Sequence, residues 1–124
     1  MLDLDNFKKV NDVYGHLEGD HVIIALSDVL RNVFGDVSSS YTGRWGGEEF
    51  MVLLPGFSAK EATDYAEKVR SEFASVAYET APAQTVSIGV SQANADDTTD
   101  TLCSRVDKAL YTAKANGKNQ VVTL

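Results

Sequence analysis

Tyr41-Thr42-Gly43-Arg44-Trp45-Gly46-Gly47-Glu48-Glu49-Phe50-Met51-Val52-Leu53-Leu54 is the stretch on which the reading of this chain turns. Two β-prone runs, 41–45 and 50–54, flank Gly46-Gly47-Glu48-Glu49, whose length and composition suit a hairpin turn. Paired glycines leave little side-chain bulk beside two carboxylates. A phosphate ester and a hard cation can approach such a backbone closely.

Working outward, residues 1–5 alternate apolar and acidic, the period of a strand. Asp5 or Asn6 is placed to cap a helix from Phe7 to about Tyr14, with Gly15 just past its end. Val22, Ile23, Leu26, Val29, Leu30 and Val33 form the stripe of a second helix, with Asp20 near its start and Gly35 at its end. Beyond the hairpin, Ser58 and Glu61 read as a capping box for a helix that aligns Ala62, Tyr65, Ala66, Val69 and Phe73. Residues 85–91 form a β-rich strand, and 92–100 a polar loop. Leu102, Val106, Ala109, Leu110 and Ala113 mark a last helix that stops near Gly117, and 120–124 a closing strand. The order β-α-α-β-β-α-β-α-β contains a β-α-β-β-α-β core, which predicts an α+β, ferredoxin-like (palm-type) sheet with helices packed against it. With no internal repeat or linker, residues 1–124 read as a single domain.

The chain has 124 residues, 44% hydrophobic and 23% charged, which fits a globular domain and neither a disordered nor a fibrous class. Eighteen acidic residues against 11 basic ones give a net charge of −7, which argues against a nucleic-acid partner held by a broad basic surface. No apolar run approaches the roughly 20 residues of a membrane span, so no membrane contact is expected, and the N-terminus lacks a signal-peptide pattern. One cysteine, Cys103, excludes an internal disulfide and fits a cytoplasmic location. Cys103 and the two histidines cannot build a typical zinc site. Cys103 and Trp45 read as packing residues, and Asp96-Asp97 as a solvated surface pair.

Asp3 and Asp5 on the opening strand join Glu48 and Glu49 as acidic groups with chemical promise. Gly46-Gly47-Glu48-Glu49-Phe50 resembles the signature of the GGDEF family of diguanylate cyclases, in its Glu variant. Asp3-Leu4-Asp5-Asn6-Phe7-Lys8, Asn11-Asp12, Gly15-His16 and Gly19-Asp20 resemble that family's opening block. Thr85-Val86-Ser87-Ile88-Gly89-Val90 resembles its later strand, and Ala109-Leu110-Tyr111, Ala113-Lys114 and Gly117-Lys118-Asn119 its closing helix.

The resemblance implies a nucleotidyl-cyclase-like fold that condenses two GTP into cyclic di-GMP and two pyrophosphates, in a homodimer with one GTP per subunit. It further implies Mg²⁺ (or Mn²⁺) held by Asp3, the Leu4 carbonyl and Glu48. Glu48, Glu49 and Lys8 would carry the chemistry, with Glu49 either a further ligand or the base. Asn6 and Phe7 at a helix start, the close-approach glycines Gly46 and Gly47, and Lys114 and Lys118 would receive the phosphates. Position 118 is more often Arg in the family, and Lys lacks the bidentate fork. Asn11 and Asp20 would read the guanine edge, Asp20 alternatively capping the second helix, and His16 would contact substrate or support those that do.

Two departures stand out. The chain opens inside the family's first strand, without the helix that usually precedes it, from which reduced activity is expected. The Arg-x-x-Asp motif of the family's inhibitory product site, nine residues before the paired glycines, is here Val37-Ser38-Ser39-Ser40. An upstream sensor domain is the expected partner in a parent protein. The competing reading is a catalytically inactive module that binds GTP or cyclic di-GMP. A palm-type transferase acting on nucleic acid is disfavoured by the acidic balance.

Overall fold

The computed structural model describes all residues, Met1–Leu124. Its elements are β1 (Leu2–Leu4), α1 (Phe7–Tyr14), α2 (His16–Phe34), β2 (Tyr41–Gly46), β3 (Glu49–Leu53), α3 (Ala59–Ala74), β4 (Val86–Val90), α4 (Thr99–Ala115) and β5 (Val121–Thr123). The expected element order holds throughout. The strands form one sheet in the order β2-β3-β1-β4-β5. β1 is antiparallel to both β3 and β4, and β5 joins β4 in parallel through α4. The first four strands thus have the ferredoxin-like order, and β5 extends it.

Alternation along the central strands sorts the two faces. Leu2 and Leu4 of β1, Phe50 of β3, and Val86, Ile88 and Val90 of β4 enter one large core with α2 and α3. Met1 packs with Val106 and Leu110 of α4 on the opposite face, beside Met51. Every residue of β4 is buried, as expected of a strand covered on both sides. At Gly89 a Cβ would stand 2.5 Å from the Leu110 amide and 2.6 Å from the Val106 carbonyl, so α4 lies directly on the strand backbone. That close contact fixes where the end of α4 delivers its lysines.

Several local expectations need correction. α2 starts at His16, four residues before Asp20, with Gly15 as its N-cap and no side-chain cap. Asp20 therefore has no capping role. Neither Asp5 nor Asn6 caps α1 through its side chain, because Asn6 adopts a left-handed conformation that turns it away (φ 54°). The Ser58–Glu61 capping box is present, and Thr98 with Thr101 forms a second one that starts α4 inside the stretch expected to be loop. Asp97 is no solvated surface carboxylate: it accepts from Arg105, the Asn94 amide and the Thr101 hydroxyl. The Arg105 guanidinium, with those other donors, holds its carboxyl well below the usual range. Trp45 is 63% exposed and so is not a packing residue.

Candidate active site at the end of strand β1

The hairpin turns on two residues, Gly47 and Glu48, because Gly46 already pairs with Glu49. Gly47 has φ 50°, where glycine carries no steric cost, and Arg44 Nε donates to its carbonyl at 2.7 Å. A register shift lies between Arg44 and Gly46, so Trp45 is at an irregularity of the edge strand. Glu49 is consequently the first residue of β3, and it stands directly opposite Asp3 on β1. The Leu4 amide donates to the Glu48 carbonyl at 3.3 Å, which ties the hairpin tip to the end of β1. Asp3, Glu48 and Glu49 are thus brought together, as expected from adjacent strands.

Like charges directly opposite one another in an antiparallel pair repel. Partial burial pushes the Glu48 carboxyl up, and the charges of Asp3 and Glu49 push the same way against the opposing pull of Lys114. This corner of the sheet therefore needs positive charge. Lys114, near the end of α4, supplies it: its Nζ donates to Asp3 Oδ1 at 2.7 Å and Asp5 Oδ1 at 2.9 Å, with the Leu4 carbonyl at 3.0 Å and the Asp3 carbonyl at 3.3 Å.

Asp5, singled out in the sequence as an acidic group, has a role the sequence did not convey. Only 3% exposed, it accepts from the Ser87 and Thr85 hydroxyls at 2.7 Å each and from the Asn119 amide at 3.0 Å, in addition to Lys114. Burial alone would raise its pKa, but the donors from Ser87, Lys114, Thr85 and Asn119 together hold it below the ordinary value. Its place two residues after Asp3 was the one available signal, and its donors come from 80 or more residues away.

Elsewhere the structure sorts the expected residues unevenly. Asn6 is exposed, and its Oδ1 accepts from Lys118 Nζ at 2.6 Å, so the start of α1 and the turn after α4 meet. Phe7 packs against the core. Asn11 approaches Gly19 across α1 and α2, which sets Asp20 on the next residue, exposed. His16 is exposed at the start of α2. Lys8 is not gathered into the cluster; its side chain is 91% exposed and faces only Asp12, at 3.9 Å. A groove of about 920 Å³ lined by Met51, Leu53, Phe57, Leu102, Cys103 and Val106 contains none of the expected site residues and is mostly apolar. Polar convergence, not concavity, locates the site.

No three His, Cys, Asp or Glu side chains form a cage for a cation. The oxygens available are instead a carboxylate and backbone carbonyl at Asp3 and Leu4, with Glu48 alongside. That open set suits Mg²⁺, which takes few protein carboxylates and completes its shell with water and phosphate oxygens. The Lys114 ammonium already lies on the Asp3 and Leu4 oxygens of this set.

Fold and site together define a palm-like α+β domain with its acidic centre where β1 meets a glycine-rich hairpin. The family model for "Diguanylate cyclase, GGDEF domain" matches residues 1–120, and the chain belongs to this family. It is 43% identical over 124 residues to diguanylate cyclase DgcM of Escherichia coli K12, covering 98% of this chain and 29% of that protein. The chain thus spans less than a third of that relative's length. The active GGEEF domain of a diguanylate cyclase from Vibrio cholerae superimposes with a TM-score of 0.90 at 35% identity, covering 98% of this chain and 78% of that one. The GGDEF domain of DgcB from Caulobacter crescentus, in complex with c-di-GMP, gives 0.91 at 32% identity, over 98% and 74%. No helix is long and apolar enough to cross a membrane.

Proposed function

We propose that this domain is a diguanylate cyclase that condenses two GTP into cyclic di-GMP and two pyrophosphates, one GTP being held by each of two subunits. The observation that carries this reading is the meeting of Asp3, Glu48 and Glu49 beside the oxygen cluster at Leu4 and Asp5, a centre that calls for cation and phosphate together. Bound Mg²⁺ or Mn²⁺ would neutralise charge developing on the α-phosphate and lower the pKa of the attacking 3′-hydroxyl. Asp3, the Leu4 carbonyl and Glu48 would hold it.

The chain's own groups do the rest. The pKa of Glu48 is raised by partial burial first and then by the charges of Asp3 and Glu49, a repulsion that a cation would offset. Glu49 lies across the strand pair from Asp3, within the same acidic corner, as ligand or as base. Gly46 and Gly47 keep the hairpin tip free of bulk where phosphates approach. The amides at Asn6 and Phe7 have no side-chain cap competing for them, so α1 presents them to an anion. Lys118, on Asn6, and Lys114, on Asp5, add positive charge beside that helix start, and the solvent-exposed Lys8 would have to turn from Asp12 to join them. Asn11 and Asp20 accept from guanine N1–H and N2–H₂, with His16 near them; adenine offers Asp20 an unprotonated N1 instead.

Each GTP supplies one nucleophile and one electrophile, so turnover requires two subunits to face each other, and a sensor region would control that encounter. Incubating the purified chain with GTP and Mg²⁺ and following cyclic di-GMP by chromatography tests the reading. Product whose specific activity rises with protein concentration is expected. GTP binding without product at any concentration would favour an inactive regulatory module.

A further inference from the structure

We infer that Lys114 is a built-in counter-ion whose ammonium keeps the place of the divalent cation, among Asp3, the Leu4 carbonyl and Asp5, and must leave it for the cation to bind. The inference rests on the metal site proposed above but not on turnover.

Three observations support it. The Lys114 Nζ lies within 3.3 Å of four oxygens, two carboxylate and two backbone carbonyl, whereas an ammonium has only three N–H groups. More acceptors than donors is the environment of an ion held by charge, not of a set of directed hydrogen bonds. Second, Asp3 and the Leu4 carbonyl are themselves the expected cation ligands, so ammonium and metal compete for the same oxygens. Third, Asp3 and the buried Asp5 share the Lys114 ammonium, and Glu49 stands across the strand pair from Asp3; without Lys114 these carboxylates would lose that counter-charge at a side-chain exposure of 20% for Asp3 and 1% for Asp5. A cation is therefore built into this corner of the chain.

The consequence is a coupling between cation and nucleotide. A metal arriving alone has to expel Lys114 from its best partners into water. A metal arriving with a nucleotide brings phosphates to which the displaced ammonium can turn on its flexible four-carbon stem. Binding of one ligand then strengthens binding of the other, by the same factor in either direction.

Mn²⁺ binding without nucleotide, read by electron paramagnetic resonance, tests this on the purified chain. Lys114→Met should bind Mn²⁺ at least about tenfold more tightly than the parent, because both a competitor and a repulsive charge are gone. Lys118→Met removes an equal charge nearby, where Nζ sits on Asn6 and not on the acidic cluster. It should tighten binding by no more than about threefold. Added Mg²⁺ should raise the melting temperature of Lys114→Met by more than that of the parent. Equal tightening in the two variants would reduce the effect to net charge, and unchanged or weaker Mn²⁺ binding by Lys114→Met would remove its basis. Either result overturns the inference. If Lys114→Met does not fold, the ¹⁵Nζ resonance of Lys114 in the parent decides: a shift on Mg²⁺ addition supports displacement, and a resonance that stays fixed while Mg²⁺ binds refutes it. None of these readouts requires GTP, so a failure of cyclase activity would leave them interpretable.

Discussion

The backbone of Gly19 on α2 lies so close to the Asn11 amide on α1 that a Cβ on residue 19 would fall 1.9 Å from Asn11 Oδ1. This contact, not helix propensity, explains a glycine inside the second turn of a long helix. Asp20 is the next residue along α2. Gly19→Ala should rotate Asn11 away at little cost in stability, since the obstructing atom is the end of a movable side chain. KM for GTP should rise about tenfold, the loss of one contact of ~1.4 kcal/mol, with the melting temperature changed by only a few degrees. Steady-state kinetics and a thermal melt read the two quantities.

Asp20→Ala separates base reading from structure, because Asp20 is exposed within α2 and caps nothing. We expect an unchanged fold and a KM for GTP that rises more than kcat falls, since a base contact persists from ground state to transition state. An unaltered KM would remove Asp20 from the site.

Glu49→Gln should abolish cyclic di-GMP formation while the chain stays folded. The substitution also relieves repulsion from Asp3 directly across the strand pair. Its stability should therefore equal or exceed that of the parent by up to about 1 kcal/mol, measured by urea denaturation. Near-parent turnover would contradict the hairpin assignment.

Asp5 should govern acid stability. Its folded pKa lies below the ordinary carboxylate value, so the ionised form favours folding. That stabilisation is complete above the unfolded pKa of about 4 and drains as pH falls through the lower folded value. Asp5→Asn should flatten the parent's loss of stability below about pH 4. It should also cost about 3 kcal/mol at neutral pH, because Lys114 and its neighbours lose a buried charged partner. Urea titrations across pH would show both effects, and an unchanged acid limb would exclude Asp5 as its source.

Residues 37–40 form a tight turn in which the Ser40 hydroxyl bonds the Phe34 and Val37 carbonyls, and they carry no charge. A guanidinium and a carboxylate are what would grip guanine edges and phosphates there. Tight product inhibition through this turn is therefore not expected. Calorimetry that found cyclic di-GMP bound below about 1 μM, and lost on substituting residues 37–40, would prove otherwise.

The sequence by itself determined the element order, both glycine-bounded helix ends near residue 15 and residue 117, the Ser58 capping box and the hairpin with its carboxylates. These are local properties, carried by hydrophobic period, cap chemistry and turn residues within a few positions of each other. What it left open were facts about distant neighbours. The start of α2 shifted to His16 because Gly15 ends α1 and caps the next helix at once, so there was no room for a loop before Asp20. Asp97 looked like a surface acid until Arg105, eight residues on, was seen to clamp it. Trp45 looked like core until the edge strand exposed it. Asp5 looked like a helix cap, whereas tertiary structure made it the buried acceptor of Thr85, Ser87, Lys114 and Asn119. A residue declares its chemistry in sequence, but burial and partners set its role; for Asp5 those partners come from β4, α4 and the turn beyond it, brought to β1 only when the sheet closes.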